Sequence, residues 1–230
     1  VIEAASSLPS MKRVIFASSM LVCPLGYQPK SEEDYRPTTI YGESKVIGER
    51  LVKSLADDRF PWTIVRPTSL WGPWFGVPYK NFFDAVSSGL YMHPKGKRIR
   101  RSYGFVLNSV YQLDKLASCR NVESIDKKVF YLADYTPVEL FDWARQISAC
   151  FEVRPPREVP LSVLKTISRI GDLLKIMGMK NPPLSSFRLN NLLTEAVFDM
   201  RSLEHVVGKS PYDVANGVQL TVDWINSRTN

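Results

Sequence analysis

The sequence predicts an α/β chain built on a parallel sheet, and three observations carry that reading. Residues 13–17 (Arg-Val-Ile-Phe-Ala) form a short β-branched, apolar run of the kind that suits a strand buried on both faces. Trp62-Thr63-Ile64-Val65 form a second such run. Between them, residues 39–56 repeat at helical spacing. Strand, helix, strand in that order is the βαβ pattern, whose two strands run parallel.

The elements follow in chain order. Val1 to Ala5 read as the end of a helix with no cap before it, so the chain opens as a piece of a larger fold would. The first strand ends at Ser18-Ser19. Residues 24–38 are rich in Pro, Ser and charge and predict a loop. From Thr39 to Ala56, Tyr41, Lys45, Gly48, Val52 and Leu55 share one helical face. Phe60-Pro61 ends that unit, and Arg66-Pro67 stops the second strand. Residues 68–81 predict a turn-rich aromatic loop, Phe82 to Leu90 a short helix, and 95–101 a basic stretch. Val129 to Leu132 predict a third strand. Val138 to Phe151 predict an amphipathic helix with Leu140, Ala144, Ile147 and Phe151 on one face. Pro155-Pro156 break the chain. Leu161 to Met179 predict a helix with an apolar stripe of Leu164, Ile167, Ile170, Leu174 and Met177. Lys165, Arg169, Asp172 and Lys175 lie opposite. Leu203 to Val207 and Val214 to Asn226 predict the closing helices. No internal repeat or low-complexity tract interrupts this order.

Composition narrows the classes. Of 230 residues, 44% are hydrophobic, enough for a sizeable core and too many for a disordered chain. No apolar run reaches the roughly 18 residues that span a bilayer, and residues 1–10 lack a leader pattern. Cys23, Cys119 and Cys150 have no paired spacing. They predict small buried thiols in a reducing, cytoplasmic compartment. Two histidines, with no CxxC, HExxH or GxxxxGK[ST], leave little room for a metal site or P-loop phosphoryl transfer. The expected metal complement is none. His93 and His205 read as structural. A net charge of +7 favours an anionic ligand, while nucleic acid is not the expected partner.

The chemistry concentrates in three segments: serines after a strand, a Tyr-x-x-x-Lys on the next helix, and Arg-Pro after the next strand. In a parallel sheet, ligands bind at the carboxyl ends of the strands. Ser18, Ser19 and Arg66 to Ser69 lie at such ends, and Tyr41 opens the helix near the same edge. A phenol has a pKa of about 10, so Tyr41 needs help to act as a base. A Lys four residues on shares its helical face and favours the phenolate. Tyr41 could then exchange a proton with a substrate oxygen that Ser19 also holds. Taken alone, Tyr-x-x-x-Lys fits an ordinary surface helix equally well. The flanking strands and serines make it specific.

These segments, VIFASSMLVCP, IYGESK and IVRPTSLWGP, resemble the extended short-chain dehydrogenase/reductases, the NAD-dependent epimerase/dehydratase family. The likeness covers nearly the whole chain. It implies a partial Rossmann-like parallel sheet with a smaller mixed α/β C-terminal substrate domain. Residues 1–75 would belong to the dinucleotide-binding domain, with segments around 105–135 returning to it. Residues 76–230 would be mainly substrate-binding. The resemblance implies Ser19, Tyr41 and Lys45 as the catalytic trio, and Ala17, Ser18, Tyr41, Lys45, Pro67 and Thr68 around NAD or NADP. Ser69 and Arg101 would contact a nucleotide-sugar, and the enzyme would be a homodimer.

The departures are as informative. Cys23-Pro24 stand where the family has Tyr-Gly, Ser69 where it has Asn, Trp71 where it has Tyr, and Asn108 where Asp is common. The family's GxxGxxG loop, which holds the cofactor pyrophosphate, does not occur in these residues. About 100 residues of strand–helix units would precede them, at about 30 per unit, and without these the edge at 13–17 is open. The basic stretch 95–101 is either a solvated loop or a diphosphate clamp centred on Arg101. Trp71 and Trp74 line a pocket or pack a core. Two alternatives accompany the epimerase/dehydratase/reductase reading. One is a 3-hydroxy (sterol-like) dehydrogenase. The other is a truncated, non-catalytic binding domain. The helix from Leu161 reads as substrate-domain core, with a membrane-surface or lid role as its alternative.

Overall fold

The computed structural model describes every residue except 57, 58, 78, 180, 181, 183, 229 and 230. The chain opens with α1 (Ile2–Ser6), then β1 (Val14–Ala17), the strand expected from the first apolar run. A 3-10 turn at Met20–Val22 follows, then α2 (Ile40–Leu55) and β2 (Trp62–Pro67). The βαβ unit is therefore present, and β1 and β2 are parallel, with Val14 opposite Trp62 and Ala17 opposite Val65. Thr39 caps α2 by accepting a hydrogen bond from the Gly42 N–H.

The aromatic segment after Pro67 is not all loop. It contains β3 (Ser69–Trp71) before α3 (Lys80–Ser87). Next come β4 (Met92–Pro94), β5 (Arg100–Arg101), β6 (Tyr103–Phe105), α4 (Val106–Ser118) and β7 (Lys128–Leu132). β8 (Val138–Glu139), α5 (Leu140–Cys150), β9 (Arg157–Val159), α6 (Leu161–Ile176), α7 (Ser186–Leu193), α8 (Arg201–Val207) and α9 (Val214–Asn226) complete the chain. The main sheet has the order β1-β2-β7, all parallel, with β2 central and buried from Trp62 to Arg66. The other strands pair two by two, β3 with β6, β4 with β9 and β5 with β8.

Helix α4, unforeseen in the sequence, mixes its signals. Its buried face is Asn108, Ser109, Gln112 and Leu116, so three of four inward residues are polar. They are satisfied in part: Asn108 donates to Asp134 Oδ1 at 2.7 Å and Gln112 Nε2 to the Ala133 carbonyl at 2.8 Å, while Ser109 Oγ and Gln112 Oε1 have no hydrogen-bond partner. Two further expectations need correction. The first strand is not buried on both faces; β1 is an edge strand of intermediate burial. The apolar stripe on α6 faces the core only in part, with Leu164 buried and Ile167 and Leu174 half-buried. The buried residues are Leu164, Ser168 and Gly171, and Ile170 and Met177 are exposed. A Cβ at Gly171 would lie 1.8 Å from the Leu184 carbonyl oxygen, so the small-residue face is the one that fits against the neighbouring backbone.

Apolar clusters hold these layers together. One lies around Val52, Phe60, Trp62 and Ile64, between α1, α2 and the sheet. A second joins β2 and β7 to α4 and α8 through Val65, Leu116, Leu132 and Leu203. The largest gathers Trp71, Phe83, Phe105, Trp143 and Val218. Trp71 is thus core, with ring centroids of Phe105 and Trp143 at 5.0 and 5.1 Å. Trp74 is 77% exposed and carries the Arg228 guanidinium 4.6 Å from its ring centroid. His93 is buried, bonded by Tyr91 Oη at Nδ1 and by the Lys97 carbonyl at Nε2, as a structural histidine should be.

Candidate active site

The site begins with how α2 meets the end of β1. A Cβ on Gly42 would approach the Leu21 carbonyl oxygen to 2.3 Å. Glycine at that position therefore lets the first turn of α2 close on the 3-10 turn that follows Ser19. Tyr41, the residue before it, is 52% exposed at the helix mouth. Lys45 lies one turn on, with Nζ 5.5 Å from the Tyr41 ring centroid. Its ammonium donates to the Ala17 carbonyl at 3.1 Å. One contact thus ties the Tyr-x-x-x-Lys helix to the carboxyl end of β1.

The two serines divide their work. Ser19 caps the 3-10 turn, its Oγ accepting from the Leu21 N–H at 3.1 Å, which leaves its own O–H to donate. Ser18 turns inward and donates to Glu49 Oε1 at 2.5 Å. A shallow depression of about 210 Å³ runs along this side, bordered by Ala17, Ser18, Ser44, Lys45 and Gly48. At the end of β2, Thr68 donates to the Leu132 carbonyl through both its N–H and its hydroxyl, each at 3.1 Å. That pins Pro67 and Thr68 to β7. Ser69 is buried as the first residue of β3.

Beneath these residues lies a polar network that the sequence reading missed. Glu49 and Arg66 form a buried, bidentate ion pair, Nε to Oε1 at 2.9 Å and Nη2 to Oε2 at 2.7 Å. Tyr35 Oη donates to Oε2 at 2.9 Å, and Arg66 Nη2 also reaches the Glu32 carbonyl at 2.6 Å. Burial opposes the charge on Glu49, but the guanidinium and the hydroxyl donors outweigh it and hold the carboxyl below its ordinary range. Burial likewise opposes the charge on Arg66, yet Glu49 raises its affinity for the proton. The signal was present: Glu49 interrupts the buried stripe Gly42, Val46, Glu49, Val52. A charge at such a position asks for a partner, and Arg66 ends the adjacent strand.

Arg101 stands apart from these contacts. It is buried on β5, donates from Nη2 to the Asn191 carbonyl, and its Nε has no hydrogen-bond partner. Burial lowers its pKa. The rest of the basic stretch points outward, and Arg100 pairs with Glu195 at 3.2 Å. Asn108, placed where the family favours Asp, clasps the Tyr212 backbone from both its amide nitrogen and its oxygen as it bonds Asp134. Burial raises the pKa of Asp134. A second carboxylate at 108 would face it, which gives the amide a physical reason.

For a nicotinamide cofactor, the fit rests on Lys45. Its ammonium has three donors and spends one on Ala17. It stands at the strand end beside the depression, where ribose hydroxyls could accept the others. A GxxGxxG loop, the usual holder of a dinucleotide's diphosphate, does not occur in these 230 residues.

A parallel sheet with a Tyr-x-x-x-Lys helix tied to its carboxyl edge defines the class: a Rossmann-like α/β chain. Residues 1–92 match the family described as NAD dependent epimerase/dehydratase family. That match covers the β1–α2–β2 unit and the segment after it, up to Met92 of the 230 residues. It is 26% identical over 163 residues to UDP-glucose 4-epimerase of Vibrio cholerae, a match covering 66% of this chain and 47% of that protein. The fold resembles UDP-glucuronic acid 4-epimerase from Bacillus cereus in complex with UDP-glucuronic acid and NAD. That likeness has a TM-score of 0.69 at 14% identity, over 99% of this chain and 65% of that one. It also resembles UDP-glucose 4-epimerase of Thermotoga maritima with UDP-glucose. There the TM-score is 0.65 at 16% identity, over 100% of this chain and 68% of that one. The chain therefore spans about half the length of the curated relative and about two thirds of the solved structures.

Proposed function

We propose that these residues form the proton-transfer and sugar-binding part of an NAD(P)-dependent epimerase, dehydratase or reductase acting on a nucleotide-sugar. The observation that carries this reading is the Lys45 bridge to Ala17, which sets Tyr41 and Lys45 together at the carboxyl end of β1. In this reading Tyr41 gives a proton to, or takes one from, a substrate oxygen. Lys45 places its charge beside the phenol ring and holds ribose hydroxyls. Ser19 donates its free O–H to the same oxygen, while Pro67 and Thr68 form the wall behind it. Bound NAD or NADP supplies the hydride acceptor. Arg101 offers its unpaired Nε to a diphosphate, with Ser69 as a further substrate contact. Residues 1–75 and 105–135 would form the cofactor side and the remainder the substrate side. Related chains would pair through the exposed face of α2, which carries Ile40, Ile47 and Leu51.

The test is Tyr41→Phe, assayed with NAD and UDP-glucose. Turnover should fall by on the order of 10²–10⁴-fold while cofactor binding survives. Unchanged turnover would sink the acid–base assignment. The second reading is a binding module without catalysis, in which the same pocket edge holds a nucleotide-sugar and Tyr41 exchanges no proton. Titrating the 230-residue chain with NADH and following nicotinamide fluorescence separates the two. Micromolar binding contradicts the binding-module reading.

A further inference from the structure

Helix α6 shows a surface that the proposed catalysis does not use. Its inward side is Leu164, Ser168 and Gly171. The close approach of Gly171 to the Leu184 carbonyl fixes the rotation of the helix, since another residue would clash there. Asp172 strengthens the lock by accepting from the Ser186 N–H at 3.0 Å. The opposite side is consequently held outward. It carries Ile170 at 54% exposure, Leu173 at 57%, Ile176 at 83% and Met177 at 75%. Monomeric proteins rarely leave such a row of large apolar side chains in water without use.

The exposed charges of α6 share one sign. Lys165 and Arg169 border the row, and Lys175, one turn after Gly171, is exposed near the end of the helix. The sole carboxylate of α6, Asp172, is the one turned to Ser186. No described helix is long and apolar enough to cross a membrane, and α6 has 16 residues. An apolar row flanked by cations on such a helix matches the interface of an anionic bilayer, where the row enters the acyl boundary and the cations meet phosphates.

We propose that α6 is a peripheral membrane-docking helix that lays Ile170, Leu173, Ile176 and Met177 onto an anionic lipid surface, with Lys165, Arg169 and Lys175 at the headgroups. The choice of a bilayer over a second copy of the chain rests on the uniform positive charge, which would repel its own image across a symmetric interface.

The experiment is sedimentation of the 230-residue chain with vesicles of phosphatidylcholine, alone or containing phosphatidylglycerol. The chain should pellet with the anionic vesicles and stay in solution with the neutral ones. Leu173→Glu combined with Ile176→Glu should weaken binding roughly tenfold or more. Lys165→Gln, Arg169→Gln and Lys175→Gln together should do the same without touching any packed residue. Circular dichroism checks that each variant keeps the wild-type fold. A chain that ignores anionic vesicles overturns the proposal, as does a folded glutamate variant that binds as well as wild type. A lipid-free dimer that the glutamate pair converts to monomer also overturns it, because the row would then be a protein interface.

Discussion

At the scale of single residues, Glu49 decides more than its position suggests. It joins Ser18 from the end of β1, Arg66 from β2 and Tyr35 from the loop between them to helix α2. Glu49→Gln keeps the shape but leaves the Arg66 guanidinium buried without a counter-charge. Removing one member of a buried pair typically costs about 3–5 kcal/mol, and the thermal midpoint should fall accordingly. The pH dependence has a definite sign. The folded-state pKa of Glu49 is depressed from 4.5. Its contribution is therefore complete above that value and is lost as pH falls through the lower, folded one. Thermal midpoints of the wild type should drop on acidification below about pH 4.5 more steeply than those of Glu49→Gln. Equal slopes would show that the carboxylate contributes nothing.

At the scale of elements, what the sequence revealed depended on whether local pattern and tertiary contact agreed. The βαβ unit was legible because β1 and β2 are apolar runs and α2 has a capping Thr39 and helical spacing. Helix α4 was not, since its inward face is mostly amide and hydroxyl and its meaning lies in partners such as Asp134, 26 residues away from Asn108. Strands β3 and β6 were hidden for a similar reason: each is three residues long and exists through its pairing with the other. On α6 the apolar stripe marks the inward side only in part: Leu164 is buried, but close packing at Gly171 turns Ile170 and Met177 outward. That packing can be tested. Gly171→Ala places a methyl 1.8 Å from a backbone oxygen, so α6 and α7 must separate. A loss of about 1–3 kcal/mol is expected from such overpacking, read as a shift in the urea midpoint. An unchanged midpoint would mean that α6 turns freely on α7.

Across the whole molecule, the main sheet has two edges among the described residues, β1 and β7, each paired with β2 alone. The N–H groups of Val14 and Ser18 point to β2, so by the alternation of a ladder those of Ile15 and Ala17 point away. Such an edge invites another strand. The isolated 230-residue chain should associate with rising concentration, and Ile15→Pro should reduce that association while sparing the bonds to β2. Light scattering across a dilution series would decide the matter, and equal scattering by both proteins would count against the edge. In the candidate site, the Tyr41–Lys45 spacing was legible because it lies within one helical turn, and Ser19 because it follows an apolar strand run. The site's foundation, Glu49 with Arg66, was not, since the two are joined only by the register of α2 over β2.

That foundation bears on where protons travel. Each oxygen of Glu49 already holds two donors: Ser18 and Arg66 Nε on one, Tyr35 and Arg66 Nη2 on the other. Its lone pairs are fully occupied, so adding a proton requires evicting a partner. The interior next to the site is therefore a closed reservoir, neither lending nor storing hydrogen ions near neutral pH. Any proton that Tyr41 exchanges must arrive from its open side, through water at the helix mouth or through the bound ligand itself. On the proposed assignment such traffic would run between solvent and substrate, above the buried charge pair as an insulating floor.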